Sequence, residues 1–306
     1  MFRLNDFILL LVIFSSMLAG ILLPRLASIF QPYPVYLMMF LLFLSFLSIR
    51  IETIWDTVRN NLQTVIWLSF LKLIALPLCV YFLFKVFYPS YAIAALLLTG
   101  ISTGVVAPFI STLVKANVNL VLVMVVISSP LVPFTLPALV KILLGRSIEI
   151  SLLGMMRILC MVIFVPILAV EVLRRITPGM LDSIMKRRYP ISLVIFAIIN
   201  LGVFSRYSDF FYQNPLTILE ATFVAILLGG IYLVVGISAL WKGPTENQLA
   251  SAISLGNMNN VLVLVFASEF FTPLEPTVAA MYMIPFFGLI LPLRIYQRLR
   301  KDYSPR

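Results

Sequence analysis

Ten apolar runs, each near the length of a helix that crosses a bilayer, leave this chain few folds to choose from. They lie at about residues 7–23, 33–49, 62–87, 91–114, 120–144, 152–173, 191–204, 216–241, 248–271 and 277–296, against a need of roughly 20 residues per crossing. Hydrocarbon offers no water to an exposed backbone N–H or carbonyl, so such runs fold as helices that pair their own polar groups. With 62% hydrophobic and 11% charged residues, the chain lies outside the range of soluble domains. The fold class is an all-α polytopic membrane protein with ten transmembrane helices.

A formal net charge of +10 would suggest nucleic acid in a soluble chain, but here it reports topology. With the N-terminus inside, fifteen of the 22 Lys and Arg residues fall in inner loops and tails and five fall outside. Cations collect on the cytoplasmic side, so both termini are expected in the cytoplasm and the number of crossings is even. The expected location is the cell membrane (the inner one in a bacterium), with the lipid bilayer as a partner and no nucleic acid. The first run lacks a small-x-small cleavage site and reads as a span rather than a leader. The linker at 50–61 is polar and amphipathic, with Trp55 at an interfacial position, and residues 174–188 read as the main cytoplasmic linker. Histidine is absent, and Cys79 and Cys160 lie in separate runs. Histidine metal sites, thiolate clusters and Ser-His or Cys-His catalysis are thereby excluded.

Three spans break the apolar pattern. The third carries Lys72 about ten residues in, which is roughly 15 Å and near the midplane, with Pro77 close behind. The fourth reads Thr99-Gly100-Ile101-Ser102-Thr103-Gly104-Val105-Val106-Ala107-Pro108, poor material for a continuous helix. The ninth contains Ser254-Leu255-Gly256-Asn257-Met258-Asn259-Asn260. Polar, glycine-rich sequence at this depth either lines a site as unwound backbone or glues helices through side-chain amides. Paired breaks in two halves favour a site. In the fifth span, Ser128, Ser129 and Thr135 stand ready to satisfy carbonyls freed by Pro130, Pro133 and Pro137.

An offset of about 152 residues carries Gly104 onto Gly256, Pro77 onto Gly229 and Pro133 onto Pro285. Two repeats follow, 1–145 and 146–306. Five spans per repeat is an odd number, so the repeats are inverted in the membrane.

Gly100 to Gly104, Lys115-Ala116-Asn117-Val118 and Ser128-Ser129-Pro130-Leu131 resemble the fourth and fifth helices of the bile acid:sodium symporter family. Leu255 to Asn260 is similar to its ninth-helix break, and Leu71 to Pro77 to its third helix. The resemblance, to a divergent bacterial-type member, implies a core domain of helices 3–5 and 8–10 and a panel domain of helices 1, 2, 6 and 7. Helices four and nine would cross at their breaks, and an organic anion, small or amphipathic, would travel with two sodium ions. Several ion ligands of the family are replaced here: a Ser-Asn pair by Ala107-Pro108, a Thr by Val125, a Glu by Ser254, and two Gln by Met258 and Lys72. Sodium needs several oxygen ligands, so no cofactor is expected and a sodium site would have lost its usual ligands.

Lys72 is therefore expected to stand where a sodium ion would, held between the breaks through Asn259, Asn260 and freed carbonyls, with Ser254 and Met258 as the other altered ion-site positions. The chain would be a sodium-independent transporter, proton-coupled if Lys72 gives up its proton. The bland alternative has Lys72 snorkelling or pairing with Glu220. Thr99, Ser102, Thr103, Gly104, Pro108, Asn257, Asn259 and Asn260 are the expected substrate-binding residues; the hydroxyls among them have the alternative of bonding carbonyls of their own span. Ordinary sodium-coupled symport and a sensor or scaffold of transporter fold remain open. An arsenite-type exporter would carry a cysteine between Thr99 and Lys115, and none is there. An enzyme would need a dyad such as Ser102 or Ser254 with Lys72, which nothing in the sequence brings together.

Overall fold

A computed structural model describes residues 4–47, 57–145, 151–176 and 178–302. Arg3, Arg50, Trp55, Arg146 and Arg306, which entered the topology reading, lie outside the described residues. All the regular structure described is helical: α1 Leu4–Leu22, α2 Pro34–Phe46, α3 Leu62–Phe87, α4 Ala92–Gly100, α5 Ala107–Leu113, α6 Val118–Leu144 and α7 Leu152–Ile176. There follow α8 Pro178–Arg206, α9 Ser208–Gln213, α10 Thr217–Ala239, α11 Thr245–Gly256, α12 Asn260–Phe270 and α13 Leu274–Arg300.

Every apolar run is thus helical over most of its length, and among the described residues six helices are long and apolar enough to span by themselves. The other four runs fall short for different reasons. The first run bends by 107° between Leu11–Leu22 and Pro24–Phe30, because Pro24 starts a new turn. The second is described only to Leu47. The fourth and ninth are broken between α4 and α5 and between α11 and α12. The stretch at 174–188 is not an irregular linker: α7 runs to Ile176, and α8 starts at Pro178 and continues through Pro190.

Prolines shape the long helices in two ways. Pro77 would clash with the carbonyl four residues back, and a π-helical turn over Leu71–Ala75 precedes it and carries Lys72. Such one-turn widenings recur at functional sites. In α6, Pro130, Pro133 and Pro137 lie inside a continuous helix. The nearby hydroxyls do not serve the carbonyls these prolines free. Ser128, Ser129 and Thr135 instead donate to Met124, Val125 and Leu131, each four residues back, since a helical Ser or Thr reaches that oxygen most easily.

The helices pack in two groups. In one, α1 and α2 lie on α8, and α2 also on α7. In the other, α3 lies on α4, α10 on α11 and α13, and α6 receives α4, α5 and α11. The groups meet where α7 lies on α6 and where α12 packs against α2, α7 and α8.

Candidate functional site

The breaks of α4–α5 and α11–α12 pass one another as two extended strands. Gly104 N donates to Asn257 O at 2.8 Å, and Asn259 N donates to Ser102 O at 3.0 Å. Between these bonds Thr103 and Met258 form an antiparallel bridge. A Cβ on Gly104 would stand 2.6 Å from the carbonyl oxygen of Met258, so only glycine allows this approach.

The crossing also answers where the end of α11 finds its donors. A helix leaves its last four carbonyls without partners in the helix. Here Ile253 O accepts from Asn257 N at 2.8 Å, and Ser254 O from Thr103 Oγ1 at 2.9 Å. Leu255 O accepts from Lys72 Nζ at 3.3 Å, and Gly256 O from Tyr282 OH at 2.7 Å. Donors from α3, from the first break and from α13 therefore converge on one helix terminus. Lys72 is 0% exposed, so it does not snorkel. It makes no ion pair among the described residues, while Glu220 accepts instead from Tyr91 OH at 2.8 Å. Its amine meets the negative end of the α11 dipole, where a cation is favoured.

The expected substrate residues divide. Thr99 Oγ1 donates to Ala95 O at 2.5 Å and shares a 2.6 Å bond with Tyr232 OH, so its hydroxyl is spent on structure. Thr103 is held at both ends, its N–H by Ser128 Oγ at 3.0 Å. Pro108 sits in the first turn of α5, where its missing N–H costs nothing. Asn259 caps α12, accepting from Leu262 N at 3.3 Å. Asn257 Nδ2 donates to Phe286 O at 2.8 Å, and Asn260 Nδ2 contacts Met283 Sδ at 3.5 Å. Neither Asn259 nor Asn260 touches Lys72 as expected, because both turn towards α12 and α13. Four buried acceptors at the crossing have no partner among the described residues: Ser102 Oγ, Ser254 Oγ, Asn257 Oδ1 and Asn260 Oδ1. Val106, just before α5, and Phe109 within it are exposed.

Tyr232 and Tyr282 are the residues that sequence reasoning missed. Both are 0% exposed, and their rings meet edge to face at 5.8 Å. A tyrosine within an apolar span, away from the interfaces where such rings collect, was the available signal.

The sequence profile of the sodium bile acid symporter family matches residues 35–214, more than half of the chain. The chain belongs to this family. No curated protein matches it. Symporter-family members are transporters rather than enzymes, and this one is a multi-pass membrane protein of that kind. The matched region holds Lys72 and the first break; the second break is tied to it by the bridge and by the donors on α11.

Proposed function

We propose that this family member is a secondary transporter that moves a small or amphipathic organic anion by alternating access without sodium, Lys72 supplying the fixed cation. One observation carries the reading: the Lys72 ammonium sits on the Leu255 carbonyl at the end of α11. Broken transporter helices hold coupling cations at such C-terminal ends and unwound carbonyls. With an ammonium there, and Ser254 beside Leu255 and Met258 three residues on, the place lacks the carboxylate that sodium would want. The anion would lie by the crossing, where α12 begins with its positive dipole end. The hydroxyl of Ser102 and the side-chain N–H groups of Asn257, Asn259 and Asn260, beside Pro108, would meet it. Thr99, Thr103 and Gly104 hold the frame.

We further read ten spans in two inverted repeats, with the α3–α6 and α10–α13 group as core and α1, α2, α7 and α8 as panel, and both termini in the cytoplasm. The 152-residue offset, which carries Gly104 onto Gly256 and Pro133 onto Pro285, supports the repeat.

The four unpartnered oxygens favour a second reading, ordinary sodium-coupled symport with new ligands. Thermal unfolding of the purified protein in sodium against choline at equal ionic strength decides between them. A ligand of the folded state raises stability by about 2.7 kcal/mol at a hundred times its dissociation constant. Lys72 as built-in cation requires no sodium-specific shift in the wild type, and a newly gained one in Lys72→Gln. A clear wild-type shift would sink it. Uptake of bile-acid and other organic-anion tracers into proteoliposomes separates either carrier from a scaffold without flux.

A further inference from the structure

The core and panel reading gives α5 and α12 different fates, since α5 then leads from the crossing to the cytoplasm and α12 to the outside. All residues from Asn260 to Ser268 are buried, and α12, whose main neighbour is core helix α13, also lies against panel helices α2, α7 and α8. Val106, just before α5, and Phe109 and Thr112 on it are exposed, and the main neighbours of α5 are core helices α6 and α11.

The ends of these half-helices are also finished by different bodies. Leu113 O, at the end of α5, accepts from Arg294 Nε at 3.3 Å, a residue of core helix α13. Ser268 O, in the last turn of α12, accepts at 3.2 Å from Nη1 of Arg206, the last residue of panel helix α8, and at 3.0 Å from the OH of Tyr207, the residue that follows it. Arg206 also pairs with Glu269 at 3.5 Å and donates to Gln31 O, in the panel's own α1–α2 turn, at 3.3 Å. Nearby, Phe270 packs over Gly154 of α7. A core that slides along the panel keeps the Arg294 cap and must break the Arg206 and Tyr207 caps.

We propose that Arg206 and Tyr207 are the outer latch of the transporter, holding the last turn of α12 on the panel so that the crossing opens to the cytoplasm alone. The latch rests on the core and panel reading. Arg206 is a positioning residue: it touches no substrate and acts by weighting the inward-open state against the outward-open one.

Two cysteine reporters test this in a Cys79→Ala, Cys160→Ala background, read with a membrane-impermeant maleimide. Ser268→Cys reports from outside in intact cells, because the latch uses the Ser268 carbonyl and its hydroxyl bonds only Val265 O. Thr112→Cys reports from inside in inverted vesicles. With Arg206→Gln, labelling of Ser268→Cys should rise roughly fivefold or more, the low end of a typical coupling. Labelling of Thr112→Cys should fall, since both states draw on one population. Tyr207→Phe and Glu269→Gln should move both reporters the same way by less, and they decide the matter if Arg206→Gln does not reach the membrane. If Thr112→Cys reacts from inside but no latch variant moves either reporter, the latch is refuted and the core and panel reading stands. If Thr112→Cys is silent from inside, that reading fails and the latch fails with it.

Discussion

Lys72 Nζ lies 3.3 Å from the carbonyl oxygen of Leu255, 183 residues away in sequence, and joins the π-helical turn of α3 to the broken end of α11. With Lys72 as the proposed cation, such a bond is worth about 1.5–3 kcal/mol. Lys72→Met keeps the length of the side chain and removes the donor. It should lower unfolding stability by about 1–3 kcal/mol, the cost of a stranded buried carbonyl, and abolish anion uptake. Full uptake in a folded Lys72→Met protein would remove Lys72 from the mechanism.

Three glycines make a graded test of the crossing. Gly104→Ala places a methyl 2.6 Å from the Met258 carbonyl oxygen, against backbone that cannot turn aside. It should cost about 1–3 kcal/mol, the usual range for overpacking, and stop transport. Gly100→Ala meets only the tip of Leu136, at 2.9 Å, and should be milder. Gly230→Ala meets nothing within 4 Å and should gain up to about 1 kcal/mol from helix propensity. Denaturation midpoints in one detergent rank the three; a Gly104→Ala protein as stable as wild type would contradict the close crossing.

The two tyrosines differ in what they leave behind. Tyr282→Phe strips the donor from Gly256 O and strands a buried carbonyl, at about 1–3 kcal/mol. Tyr232→Phe removes a hydroxyl whose partner, Thr99, still bonds Ala95 O, so about 0.5–1.5 kcal/mol is expected. Unfolding measurements on both should give the larger loss at Tyr282.

What could be read from the chain followed from solvent and chain connectivity. Apolar runs in lipid have to be helices, and Gly with Asn or Thr in mid-run has to be a break, so the helical runs, both breaks and the anomaly of Lys72 were visible. Partnership across the fold was not. Nothing local says that Lys72 reaches Leu255 rather than Asn260, or that Tyr282 caps Gly256, because these pairs depend on how α3 and α13 dock on α11. Nor does aligning Gly104 with Gly256, two helix breakers 152 residues apart, say what each glycine does. The glycines serve different ends, one a close backbone approach and the other a helix terminus packed on Leu289.

Lys115 offers a test of local backbone chemistry apart from transport. Its φ of 54° is left-handed, and it follows α5 as the turning residue of a Schellman cap. Ala116 N donates to Ser111 O at 2.9 Å and Lys115 N to Thr112 O at 3.4 Å, the paired bonds of that motif. Glycine takes this conformation freely, asparagine tolerates it, and a β-branched side chain resists it. Lys115→Gly should therefore stabilise the protein by about 0.5–1 kcal/mol, Lys115→Asn by less, and Lys115→Val should destabilise it. All three substitutions discard the same charge, so an order of Gly above Asn above Val in thermal unfolding assigns the effect to the backbone. Three equal shifts would assign it to the lost cation instead.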